Sequence, residues 1–280
     1  MRIVRTVKRL RASVAAQRRR GRRIGLVPTM GALHEGHLSL IRLAKRKSDF
    51  AVVSIFLNPT QFGPKEDLRR YPRDLKGDAA KCRRAGADLI FAPGVKEVYP
   101  EGFSTYVNVE GITQGLCGAS RPGHFRGVAT VVCKLLSMVR PDLAVFGQKD
   151  AQQAAVIKRM VRDLDLAVKI AIGPIVREPD GLAMSSRNAC LTPEERKQAA
   201  ALYRSLKLAR RMVRDGERET GAVKREMARL LRREAPLGAI DYIEIVDNET
   251  LRPERKVPGK ALVALAVKFP KTRLIDNAVL

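Results

Sequence analysis

Residues 24–37, Ile24-Gly25-Leu26-Val27-Pro28-Thr29-Met30-Gly31-Ala32-Leu33-His34-Glu35-Gly36-His37, read as a short apolar strand running into a turn and the start of a helix. A run of a few residues rich in Val, Ile and Leu suits a strand covered on both faces. The residues that follow, 36–47, bring Leu38, Ile41, Leu43 and Ala44 near one side of a helix. Working outward, similar apolar runs recur at 51–57, 88–92, 142–146 and 167–172. A second helical stripe lies at 128–139, made by Val128, Val131, Val132, Leu135 and Leu136. Alternating strands and helices predict an α/β fold with a doubly wound parallel sheet, which binds ligands at the carboxyl ends of its strands.

The pattern changes after residue 172. Thr192-Pro193-Glu194-Glu195 is a helix start with a physical basis: Thr caps, Pro fits the first turn, and Glu three residues after the cap closes a capping box. One long helix is expected from there to about residue 215 and another over 221–234. Strand-like runs follow at 241–246 and 261–269. This second unit reads as a smaller α+β domain. Gly173-Pro174 marks the boundary, giving domains 1–175 and 176–280.

At 280 residues the chain is long enough for two domains, and its 45% hydrophobic and 30% charged residues match an ordinary globular protein. No apolar run approaches the roughly 20 residues that span a bilayer. Arg and Lys interrupt the first apolar residues throughout, unlike a secretory signal, so a strand and a basic helix are expected there. Cys82, Cys117, Cys133 and Cys190 are far apart, which suits a reducing cytosol better than a disulfide framework. A net charge of +25 attracts phosphate-bearing partners. It is spread over helical faces, however, and aromatic residues are only 5% with no Trp, so a nucleic-acid partner is not expected.

Three segments carry chemistry. The first is the turn just quoted: a helix N-terminus offers free N–H groups to phosphate, and His34 and His37, three apart, share its first turn. The second is Gly147-Gln148-Lys149-Asp150 after the 142–146 strand, where Lys149 and Gln153, four apart, can both face the strand end. A Lys there can neutralise phosphate as a compact charge. The third is Met184-Ser185-Ser186-Arg187-Asn188, a serine-rich turn.

The His34-Glu35-Gly36-His37 pattern resembles the H-x-G-H signature of a nucleotidyltransferase superfamily that includes class I aminoacyl-tRNA synthetases. Met184 to Asn188 resembles that superfamily's mobile K-M-S-K-S loop, with Arg187 in the place of a Lys. Taken with SIFLNPTQFGPKEDLRRYPRD, GASRPGHFRGVATVV, PDLAVFGQKD, DGLAMSSRN and RLIDN, the chain resembles the pantothenate synthetase (pantoate–β-alanine ligase) family along nearly its whole length.

The resemblance implies a homodimer whose Rossmann-like N-terminal domain holds the substrates under a C-terminal lid. It also implies a ligase that converts ATP, pantoate and β-alanine to pantothenate, AMP and pyrophosphate through a pantoyl adenylate, with Mg2+. Met30, Gly31, His34, His37, Gly147, Gln148, Lys149, Asp150, Val176, Met184, Ser185, Ser186 and Arg187 would contact ATP. His34, His37, Lys149, Ser185, Ser186 and Arg187 would act in catalysis by stabilising charge. Gln61 and Gln153 would hold pantoate, with Asn58, Arg121 and His124 as further pocket positions and Asp78 near the metal. The chain departs from the family pattern at Cys117, at Asp74 and at Gly77. A related enzyme for another small acid would share His34, His37 and Lys149 but not Gln61 and Gln153 in these contexts. A nucleic-acid-binding protein would explain the charge but not three phosphate-type motifs in this order.

Overall fold

A computed structural model describes residues 1–63, 68 and 71–280; residues 64–67 and 69–70, within the SIFLNPTQFGPKEDLRRYPRD stretch, lie outside the described residues. Six strands form one parallel sheet: β1 (Arg2–Val4), β2 (Ile24–Thr29), β3 (Phe50–Ile55), β4 (Leu89–Phe91), β5 (Leu143–Gly147) and β6 (Lys169–Gly173). Their order is β1-β4-β3-β2-β5-β6, so the chain leaves β2 toward one edge and returns on its other side as β5. That reversal opens a crevice at the carboxyl ends of β2 and β5, where doubly wound sheets bind ligands.

The connections are α1 (Val7–Arg18), α2 (Glu35–Lys47), α3 (Leu75–Arg84), the single turns α4 (Val95–Val98) and α5 (Cys117–Ser120), α6 (His124–Val139) and α7 (Ala151–Asp163). Strand side chains alternate between two cores. Val27, Val53, Ile90 and Val145 pack with Leu38, Ile41 and Ala44 of α2 and Cys82 of α3. Leu26, Val52, Leu89, Ala144 and Phe146 face Leu10 and Val14 of α1, Val128, Val132 and Leu136 of α6, and Ile157 and Met160 of α7. Both faces are covered, which is why the strands read as continuous apolar runs.

The departures at positions 74 and 77 explain each other. The Asp74 side chain caps α3 by accepting from the Gly77 amide at 2.8 Å. A Cβ on residue 77 would lie 2.1 Å from Asp74 Oδ2, so a larger residue there would make the capping carboxylate rotate away from its present position.

Beyond residue 192 come α8 (Pro193–Ala199), α9 (Ala201–Arg214) and α10 (Thr220–Glu234), then β7 (Ala239–Asp247), β8 (Ala261–Phe269) and β9 (Thr272–Val279) in an antiparallel sheet ordered β7-β8-β9. Thr192 and Glu195 close the expected capping box. The single long helix expected to residue 215 is two, α8 and α9, separated at Ala200, where ψ opens to −19°. β9 was not expected as a strand. Its stretch Thr272–Val279 buries Asp276 and Asn277 among its apolar residues and so lacks a plain strand pattern.

Candidate active site

The turn between β2 and α2 is held under strain. Gly31 has φ +89° and Ala32 has φ +52°, a left-handed conformation that costs a non-glycine residue about 1–2 kcal/mol. Asp78, at the start of α3 and only 2% exposed, fastens it. One carboxylate oxygen accepts from the Ala32 amide at 2.9 Å and the other from the Leu33 amide at 2.8 Å. Both oxygens are therefore turned to the loop backbone, each accepting one amide. Lys81, one turn further along α3, donates to the Leu33 carbonyl at 2.7 Å.

The turn delivers His34 as N-cap of α2 and His37 three residues on, with ring centroids 4.1 Å apart. A Cβ on residue 36 would lie 2.9 Å from His34 Cε1, so Gly36 makes room for that ring. The His34 amide donates to His37 Nδ1 at 3.4 Å, a long bond that leaves His37 Nε2 as the hydrogen-bearing nitrogen when the ring is neutral. Burial, then the Lys149 charge, lowers the His34 pKa from 6.5 to about 4. Burial, then neighbouring His34, lowers that of His37 to about 3. Both rings are neutral at pH 7. His34 Nδ1 is also one of three buried side-chain polar atoms without a partner among the described residues.

A second group stands on the loop after β3. Asn58 is 1% exposed and caps the turn Pro59–Gln61; its Nδ2 donates to Gln61 Oε1 and to the Gly127 carbonyl, each at 3.1 Å. Its Oδ1 accepts from the Tyr99 hydroxyl at 2.7 Å. The carboxamide of Gln61 is thus fixed, and its Nε2 lies 2.8 Å from Met30 Sδ. At the start of α6, His124 Nδ1 is 2.8 Å from the Gln61 carbonyl oxygen and Arg121 is 3.0 Å from His124 Nε2.

The third group follows β5. Lys149 sits in the turn Gln148–Asp150, its side chain 20% exposed and its Nζ 3.8 Å from Asp150. Asn277 of β9 donates to the Gln148 and Lys149 carbonyls at 3.0 and 2.9 Å, and its Oδ1 accepts from Gln148 Nε2 at 3.0 Å. The Gln148 side-chain amide is thus turned toward β9. Residues 176–188 form a loop whose base is closed by the Met184 amide on the Val176 carbonyl at 3.0 Å and by an Arg177 and Ala183 bridge. Asp276 grips Arg177 with both oxygens, at 2.6 and 3.0 Å. Burial raises the Asp276 pKa against the pull of Arg177.

These groups line one cavity of about 210 Å3 at the carboxyl ends of β2 and β5. It brings together Met30, His34 and His37, Asn58 and Gln61, Arg121 and His124, Gly147, Lys149, Asp150 and Gln153, and Val176 with Met184 to Arg187. Gly31, Asp78 and Gln148 stand outside its lining. A second cavity of about 350 Å3 adjoins it, sharing Lys149, Gln153 and Arg187 and reaching Tyr242 and Arg273 of the small sheet.

The family model for pantoate-beta-alanine ligase matches residues 2–279. The chain belongs to the pantoate-beta-alanine ligase family. It is 55% identical over 279 residues to a pantothenate synthetase of Acetivibrio thermocellus, covering 100% of this chain and 99% of that protein. The crystal structure of pantothenate synthetase from Thermus thermophilus is similar at a TM-score of 0.94 and 50% identity, over 99% of each chain. That of the pantoate-beta-alanine ligase from Francisella tularensis, complexed with Beta-gamma ATP and Beta-alanine, is similar at 0.80 and 33%, covering 100% of this chain and 97% of that one.

For a member of this ligase family the cavity contains more than the motifs supplied. Val128, Val131, Val132 and Leu135 form an apolar wall, and Tyr71, Phe56 and Phe62 add aromatic surface. The α6 stripe had been legible only as a core-facing helix side. Asp276 and Asn277 had been visible only as part of the RLIDN stretch, because nothing local in the sequence names their partners.

Proposed function

We propose that the protein joins pantoate to β-alanine at the expense of ATP, in two steps. A pantoate carboxylate oxygen attacks the α-phosphorus, and the bond to the β-phosphate oxygen breaks to release pyrophosphate. The uncharged β-alanine amine then attacks the carbonyl carbon of the pantoyl adenylate, AMP leaves with the electron pair of the broken C–O bond, and the new amide nitrogen gives up one proton to solvent. The observation carrying this reading is that the cavity joins two neutral imidazoles, a Lys, an Arg and a serine pair to a fixed Gln61 carboxamide beside an apolar wall. Charge builds on the phosphates during transfer. Preorganised donors such as His34 and His37 Nε2, Lys149, Ser185, Ser186 and Arg187 stabilise it without reorganising.

Gln61 and Gln153 would hold pantoate, since an amide gives and accepts hydrogen bonds at once and suits hydroxyls beside a carboxylate. Val128, Val131 and Val132 would pack against its gem-dimethyl carbon. Among the described residues no three His, Cys, Asp or Glu side chains gather as a metal site. Mg2+ would enter with the ATP phosphates, beside the Asp150 carboxylate of the cavity lining, and would offset phosphate charge there.

The reading further includes two domains, 1–175 and 176–280, with the loop 180–188 as lid, and a homodimer in the cytoplasm. The family resemblance supports the dimer, and no helix of the described residues is long and apolar enough to cross a membrane. The deciding experiment is exchange of labelled pyrophosphate into ATP with pantoate as the only other substrate. Exchange without β-alanine is expected. An enzyme that makes pantothenate yet shows no exchange would overturn the two-step scheme.

A further inference from the structure

The geometry points to Asp276 and Asn277 as a pair of positioning residues that set the distance between the Lys149 turn and the loop bearing Arg187. β9 is the outer strand of the small sheet, so one of its edges is free of strand partners. Consecutive side chains of a strand point to opposite faces. Asp276 and Asn277 therefore reach in different directions, Asn277 to the Lys149 turn and Asp276 to Arg177 at the base of the loop that bears Arg187.

Asn277 is 3% exposed and uses every atom of its carboxamide: Nδ2 on the Gln148 and Lys149 carbonyls, Oδ1 on Gln148 Nε2. Asp276 is 2% exposed and holds Arg177, which also donates to the Gly181 carbonyl at 2.9 Å and stacks 4.0 Å above the Tyr203 ring. Arg177 pairs with Ala183 at the base of the loop, one residue before Met184. The Asn277 amide donates to Asp276 Oδ1 at 2.8 Å, which ties the two anchors into one unit. Two segments whose clamped residues, Lys149 and Arg177, lie 28 positions apart in sequence are thus held by adjacent positions of a single strand. A misplacement of about 1 Å at such a site typically costs about 100-fold in rate.

This inference rests on the assignment of Lys149 and Arg187 to the ATP phosphates. The test is a pair of double-mutant cycles in the full-length enzyme, Asn277→Asp against Lys149→Ala and Asp276→Asn against Arg187→Ala, read by pantoate-dependent pyrophosphate exchange. Asn277→Asp places an oxygen where a donor faced two carbonyls. It should lower the exchange rate by roughly 10- to 100-fold while the pantoate KM stays within about twofold. In the Lys149→Ala background the same substitution should change the rate by less than about threefold, because the group it positions is gone. Asn277→Ser, which is smaller and keeps a donor, replaces Asn277→Asp in the cycle if that variant does not fold. Rate losses that multiply in the double variants, or a pantoate KM that rises as far as the rate falls, would assign Asp276 and Asn277 to general stability and overturn the proposal. A Lys149→Ala enzyme with native exchange would instead overturn the phosphate assignment beneath it.

Discussion

Asp78→Asn separates two roles for one carboxylate. In the folded protein each oxygen accepts one backbone amide, from Ala32 and from Leu33, at the point where Ala32 is held left-handed. An Asn of the same shape keeps one acceptor and turns an NH2 toward the other amide, and it removes the charge from both bonds. A hydrogen bond to a charged group contributes about 1.5–3 kcal/mol and an unsatisfied buried amide costs about 1–3 kcal/mol, so a net loss of about 2–4 kcal/mol is expected. Burial at 2% exposure leaves little solvent to screen the loss. For a chain of this size the melting temperature should fall by roughly 3–7 °C. The adenylation rate should fall with it, because the same turn carries Met30 and His34. The assay is thermal melting together with pyrophosphate exchange across a Mg2+ titration. A variant that melts like the wild type and regains full activity at higher Mg2+ would refute the loop-fastening role and return Asp78 to the metal.

Gln61→Ala and Gln153→Ala should weaken pantoate use about tenfold to a hundredfold, from roughly 1–3 kcal/mol of lost hydrogen bonding, while ATP affinity by direct titration changes little. Loss of ATP affinity with unchanged pantoate dependence would move the reading toward another acid substrate. The histidines predict a pH dependence of stability. Unfolded, both ionise near 6.5, and folded, only at about 4 and 3, so below pH 6.5 the unfolded chain binds more protons. Their contribution is complete above about pH 6.5 and is lost as pH falls toward 4 and 3. His37→Asn should therefore flatten the decline of melting temperature between pH 6.5 and 4.5, and an unchanged slope would show that burial does not hold His37 neutral.

The parallel strands were legible because a strand covered on both faces announces itself locally, as 24–27 and 142–146 do. The H-x-G-H turn was legible for a similar reason: strand, cap and first helical turn are contiguous. So was the capping box at Thr192, whose two partners are three residues apart. The α8 and α9 break was not, since a shift of one ψ at Ala200 leaves no mark on the helical pattern. β9 escaped because its buried Asp276 and Asn277 interrupt the apolar pattern that marks a strand. The sequence alone thus determined the strands of the parallel sheet, the capped helix start at Thr192 and the contiguous H-x-G-H turn. Tertiary structure decided that Asp78 fastens Ala32 across 46 residues, that Asp276 reaches Arg177 across 99 and that Gln148 turns to Asn277 across 129. The physical reason is that a buried polar group is satisfied by whatever partner the fold brings within about 3 Å, and that partner is fixed by the packing of distant elements rather than by its neighbours in the chain.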